Sequence, residues 1–129
     1  MGYSILSVDD SETVRAVVAK TLQLAQVPLR ALHHAANGEE ALAALDEHAI
    51  DLVFTDINMP VMNGVEMVER MQADARLRGV PVVVVSTEGS KTRIEDLKEK
   101  GVQAYVRKPF TPEGLKAIVD NLLGEGYDE

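Results

Sequence analysis

Short, dense apolar runs alternate along this chain with longer segments in which apolar residues recur every three or four positions. The dense runs predict strands over residues 4–8, 30–35, 52–56, 82–86 and 104–108. Residues 52–54 and 82–85 are apolar without interruption and rich in β-branched side chains, as central strands covered on both faces must be. Residues 30–35 are more polar and predict an edge strand. Between the strands, Val14, Val17, Val18 and Leu22 form a stripe at helical spacing, with Ser11 placed to cap it. Asn37 is placed to cap a second helix, with Glu40 three residues on for a reciprocal box. Gly64 opens a third, whose inner face is Val65, Val68 and Met71. Thr111 and Pro112 open a fifth, followed by Leu115, Ile118, Val119 and Leu122. The fourth helix, about residues 90–100, carries only Ile94 and Leu97 amid charged side chains, an inner face thin enough either for local mobility or for a simply well-solvated helix. Alternation of strand and helix predicts an α/β fold with a parallel sheet.

Composition narrows the classes. At 129 residues and 46% hydrophobic, the chain predicts one domain over 1–129, with a core from about 4 to 123 and a frayed tail at 124–129. A formal net charge of -8 leaves no basic stripe for nucleic acid. No apolar run reaches the roughly 20 residues that a membrane helix needs. Strand-like sequence begins within a few residues of the N-terminus, which leaves no room for a signal peptide. The lack of cysteine excludes a disulfide framework and a thiolate metal site. The expectation is a cytoplasmic protein without membrane or nucleic-acid partners.

Chemistry collects where the strands end. Asp9 and Asp10 follow the first run, Asp56 ends the third, Ser86 the fourth and Lys108 the fifth. Parallel strands of one sheet bring all of these to a single edge. Taken singly, each has an ordinary reading. An acidic pair suits a helix N-terminus, Asp56 could cap a turn, Ser86 could be a strand-end hydroxyl and Lys108 a surface lysine. Taken together, those readings need four unrelated coincidences at one edge. Three carboxylates against one ammonium either raise a carboxyl pKa or demand a cation. A hard divalent ion with oxygen ligands answers that demand, Mg2+ for preference, though nothing in the spacing separates it from Mn2+. Asp10 and Asp56 would ligate directly, Asp9 through water, and the backbone carbonyl of Asn58 would add an oxygen. Asp56 could then act as a nucleophile toward phosphorus. The Lys108 ammonium and the Ser86 hydroxyl would face the peripheral oxygens of the transferred group.

The acidic pair Asp9 and Asp10, the run from Thr55 to Pro60 with Gly64, then Ser86, then Lys108, Pro109 and Phe110 together resemble the receiver domain of bacterial two-component response regulators. The resemblance spans nearly the whole chain and is nearest to the single-domain, CheY-like members, because nothing follows the fifth helix. It implies a doubly wound (βα)5 fold of the flavodoxin/CheY-like type, with strand order 2-1-3-4-5. It implies Mg2+-dependent transfer of a phosphoryl group to Asp56 from the phosphohistidine of a histidine kinase, with Ser86 and Lys108 binding the acyl phosphate. Ser86 would then move toward the phosphate and Tyr105 turn inward, reshaping the face made by helix 4, strand 5 and helix 5. Asn58 and Glu88 would flank the path of the hydrolytic water and make the phosphorylated state short-lived. Thr87 departs from the Ala or Gly of many relatives and would crowd the passage of Tyr105. A cis bond between Lys108 and Pro109 is also implied.

Output would be by protein contact: phosphorylation-dependent binding to a flagellar motor switch in chemotaxis, a phosphoryl shuttle or sink between histidine-containing proteins such as a histidine kinase or a histidine phosphotransfer protein, or regulation of some other partner. The face bearing Lys91, Ile94, Tyr105, Lys116 and Val119 is the expected surface. Two other classes share some of these features. Phosphatases of the haloacid-dehalogenase type carry Asp-x-Asp, where this chain has Asn58 in place of the second acid, and their acidic pair follows the nucleophile. A flavodoxin-like carrier needs a phosphate-cradling loop after the first strand, where this chain is acidic. His33 and His34 are adjacent on a strand and point to opposite faces, so the pair shares no metal. His48 suits the end of the second helix.

Overall fold

The structure, a computed structural model, describes residues 2–87 and 91–124. Strands β1 (Tyr3–Val8), β2 (Leu29–Ala35), β3 (Leu52–Thr55), β4 (Val82–Ser86) and β5 (Ala104–Arg107) form one parallel sheet in the order β2-β1-β3-β4-β5. The connecting helices are α1 (Glu12–Leu24), α2 (Gly38–Glu47), α3 (Gly64–Ala73), α4 (Lys91–Glu99) and α5 (Pro112–Val119), the last running into a π-helical turn over Asp120–Gly124. This is the doubly wound α/β arrangement expected from the alternation and the resemblance. The more polar β2 lies on the edge.

Caps start the helices where the sequence places them. The Ser11 hydroxyl accepts from the Val14 N–H at 3.2 Å, the Asn37 side-chain oxygen from Glu40 at 2.9 Å and the Thr111 hydroxyl from Gly114 at 3.0 Å. Each satisfies an N–H that the helix leaves open. Asn63 does the same for α3 through the Glu66 N–H. The box at α2 closes one residue early, because the Glu40 carboxylate reaches back to the Ala36 N–H at 2.9 Å.

Alternate residues of each strand face opposite sides of the sheet, and each side has its own core. Leu6, Val8, Val53 and Val84 pack with Met67, Met71 and Leu97 beneath α2, α3 and α4. Ile5, Phe54, Val83 and Val85 pack with Val18, Leu22, Leu115 and Val119 beneath α1 and α5.

Several inner-face assignments need correction. Val17 is 49% exposed, and the buried residues of α1 are Val18, Thr21 and Leu22. Val18 and Leu22 lie one turn apart on a single line, and Val17 is rotated about 100° off it. Thr21 occupies the buried flank because its hydroxyl is satisfied within the helix, donating to the Val17 carbonyl at 2.7 Å. In α3 the unpredicted Met67 is buried and Val65 only half-buried. Val119 is fully buried, so it belongs to the core and not to the surface expected beside Lys116. The thin face of α4 is real, since Leu97 alone among its residues is buried. The predicted start of that helix at Ser90 lies outside the described residues. No helix among the described residues is long and apolar enough to cross a membrane.

Candidate functional site

The chain runs outward from β1 to β2 and then returns to place β3 on the other side of β1. Such a reversal opens a crevice at the carboxyl ends of the two strands, where open α/β sheets bind their ligands. Val8 pairs with Thr55, Thr55 with Val84 and Ser86 with Arg107. The register therefore sets Asp9, Asp56, Ser86 and Lys108 along one edge. Backbone bonds fix them there. The Asp56 N–H donates to Val8 O at 3.0 Å, Asp9 N–H to Ala35 O at 3.0 Å and Lys108 N–H to Ser86 O at 2.9 Å. Strands β3 and β5 end one residue before their predicted ends, so Asp56 and Lys108 stand just beyond the sheet.

One carboxylate oxygen each from Asp9, Asp10 and Asp56 lies within 4.8 Å of the others. Lys108 Nζ is 3.7 Å from Asp9 Oδ2 and 3.8 Å from Asp56 Oδ2. The opposite oxygens are held by the backbone, Asp9 Oδ1 accepting from Ser11 N–H at 2.9 Å and Asp56 Oδ1 from Ile57 N–H at 2.7 Å. Asp9 is buried, Asp56 half-buried and Asp10 exposed. Burial pushes the Asp9 carboxyl above its ordinary 3.8, and the charges of Asp56 and Asp10 add to that push. The Ser11 N–H and the Lys108 ammonium pull against them and do not prevail. The crevice holds more negative charge than its lysine neutralises.

Gly64 makes the approach of α3 possible. A Cβ there would overlap the Asp56 carbonyl oxygen, and the Gly64 N–H donates to Ile57 O at 2.7 Å. Asn58 lies in the intervening loop with an exposed side chain, and Ser86 is buried at the end of β4. Thr87 is exposed, and Glu88 lies outside the described residues. The Tyr105 ring packs against the core beneath α2, α3 and α4, and its hydroxyl is enclosed without a hydrogen-bond partner among the described residues. The bond between Lys108 and Pro109 is cis.

The response regulator receiver domain profile matches residues 5–120. The chain belongs to the receiver domain family. It is 36% identical to the chemotaxis protein CheY1 of Helicobacter pylori over 121 residues, which cover 93% of this receiver and 96% of that protein. It is 34% identical to the CheY homologue of Campylobacter jejuni over 126 residues, 97% of this receiver and 95% of that one. Among solved structures, the chemotaxis protein CheY4 of Vibrio cholerae superposes with a TM-score of 0.84 at 33% identity, covering 95% of this receiver and all of that chain. The receiver is therefore a CheY-like response regulator.

Four contacts of this receiver escape a reading of its sequence. The Ser11 and Ile57 amides hold the two buried-side carboxylates, a local arrangement that aspartate turns make common. His33 stacks on His48, with ring centroids 4.0 Å apart and planes at 19°. Nearly parallel rings cannot both point a nitrogen at one ion, so this pair makes no chelate. The Gly38 N–H donates to Met62 O at 2.8 Å, which ties the start of α2 to the loop after Asp56. No signal in the sequence announces either of the last two.

Proposed function

We propose that Asp56 of this receiver accepts a phosphoryl group from the phosphohistidine of a histidine kinase or a histidine phosphotransfer protein. A carboxylate oxygen of Asp56 forms the new bond to phosphorus as the phosphorus–nitrogen bond breaks. The bonding electrons leave with the imidazole, which takes up a proton from solvent. The observation that supports this most is the meeting of Asp9, Asp10 and Asp56 within 4.8 Å, with Lys108 beside two of them.

Those carboxylates offer only hard oxygen donors, and the unneutralised charge around the raised Asp9 favours a divalent cation. Asp9, Asp10, Asp56 and the Asn58 carbonyl would hold Mg2+, with Mn2+ able to substitute. When bound, the ion supplies the positive charge that offsets the cluster and the incoming phosphoryl oxygens. Lys108, whose carboxylate partners the ion would take over, would then pair with the phosphoryl group. Ser86 offers its hydroxyl from the end of β4. Asn58 and Glu88 govern the access of the water that later hydrolyses the acyl phosphate.

The Tyr105 hydroxyl, enclosed and without a partner among the described residues, makes the ring sensitive to rearrangement of its surroundings. With Thr87 it forms the switch that links Ser86 to the surface of Lys91, Ile94 and Lys116. Relatives bearing chemotaxis names favour a cytoplasmic role in chemotaxis, through phosphorylation-dependent contact with a flagellar motor switch. A phosphoryl shuttle between histidine-containing proteins is the alternative output.

Incubation with a small phosphodonor such as phosphoramidate, in Mg2+, is expected to give one acid-stable, base-labile phosphoryl group per chain. Asp56→Asn should abolish it, and a chelator should suppress it in the parent protein. Undiminished labelling of the Asn variant, or steady turnover of a generic phosphate ester, would overturn the proposal.

A further inference from the structure

Resting on that reading, we infer that the turn between β2 and α2 is a positioning brace for the Mg2+-binding side of the site, with Gly38 as its critical residue. Two backbone hydrogen bonds connect this turn to both halves of the site. At its start, Ala35 O accepts from the Asp9 N–H at 3.0 Å. At its end, the Gly38 N–H donates to Met62 O at 2.8 Å. The turn thus reaches from the strand that carries the acidic pair to the loop that carries Asn58.

That loop has few ways to yield. Ile57 O accepts from the Gly64 N–H at 2.7 Å, and Pro60 O accepts from the Met62 N–H at 2.7 Å around Val61. Asn58 therefore lies in a segment fixed at Ile57, Pro60 and Met62, and the last of these is held by Gly38. Met62 is 7% exposed and packs in the core beneath α2 and α3.

Glycine is needed at position 38 for space. A Cβ there would stand 2.8 Å from Met62 Cγ, 3.0 Å from Met62 Sδ and 3.0 Å from Met62 O. The thioether could shift only within a filled core, and the carbonyl oxygen could shift only by moving the loop backbone. An alanine would therefore push Met62 and the loop away from the turn by a few tenths of an ångström. Mg2+ requires near-ideal octahedral geometry and tolerates such displacement poorly.

Gly38→Ala is expected to weaken Mg2+ binding on the order of tenfold, the scale of changes in groups that orient metal ligands. Amide chemical shifts followed through a Mg2+ titration give the Kd without any phosphorylation. Val119→Ala, a core truncation on the opposite side of the sheet, serves as the merely destabilised control and should keep the parental Kd. Coupling is reciprocal, so Mg2+ should also slow hydrogen exchange at the Gly38 amide of the parent protein by more than at amides that open only by global unfolding, and an equal slowing at both would count against the brace; this measurement stands even if the alanine variant does not fold. If the parent protein takes up no Mg2+, the acidic-site reading itself fails. If it binds Mg2+ while the variant's Kd or the Gly38 exchange rate is unaltered, the brace is overturned.

Discussion

Val61 holds a β-branched side chain at φ +67°, at the centre of a tight turn closed by the Met62 N–H and Pro60 O. A backbone of that kind costs about 1–3 kcal/mol in a residue other than glycine, and β-branching makes it a true outlier. The side chain is 74% exposed, so burial returns little of the cost. A hydrogen bond between residues two apart with a positive central φ is a strained γ-turn, which glycine enters without a Cβ clash. Val61→Gly is therefore expected to stabilise the fold by about 1 kcal/mol, seen as a higher urea midpoint at unchanged slope. An unmoved or lower midpoint would show that the turn stores no such strain. Nothing in a valine announces a positive φ. The flanking Pro60 and Gly64 mark a turn, but closure of the loop onto Gly38 and Asp56 sets the angle inside it.

At β2 and α2, the stack of His33 on His48 joins a strand to the cap of its following helix. Burial first, then His48 and His34, hold the His33 imidazole below its ordinary 6.5, and burial with Arg15 does the same for His34. Glu47 approaches the His48 ring at 3.8 Å from the solvent side of the helix end. A histidine that binds its proton less readily when folded gives stability that is complete above 6.5. That stability is lost as pH falls through the window between 6.5 and the lower folded value. His33→Phe should keep the stack and remove the His33 share of the acid loss, measured as melting temperature against pH. An identical pH profile in the variant would sink the idea. The sequence predicted both elements and the edge position of the strand, because a polar strand and a capped amphipathic helix are local patterns. It did not reveal the stack, just as it misplaced Val17 on α1. Spacing defines a helical stripe, while the rotation of that stripe onto the sheet depends on neighbours distant in the chain.

For the whole molecule, the charge of -8 and the acidic crevice act together. The candidate ligands come from the ends of separate strands, so the unfolded chain has no site and Mg2+ bound there as proposed would stabilise the fold. The gain is about 2.7 kcal/mol at a hundredfold excess over Kd. Thermal unfolding with Mg2+ and with a chelator should differ accordingly in the parent protein, and Asp9→Asn should largely erase the difference. An equal Mg2+ response in that variant would remove Asp9 from the ligand set. The elements, their order in the chain and the acids, hydroxyl and lysine at the strand ends were all legible in the residues. Strand and helix periods, caps and turns are short-range, and parallel strands leave their carboxyl ends no choice of edge. Which carboxylate is buried, which amides hold it, how Lys108 divides itself between Asp9 and Asp56, and that Gly38 bears on Met62 came only from the folded chain. Those are contacts between segments far apart in sequence, and their distances exist only once both cores have packed against the sheet.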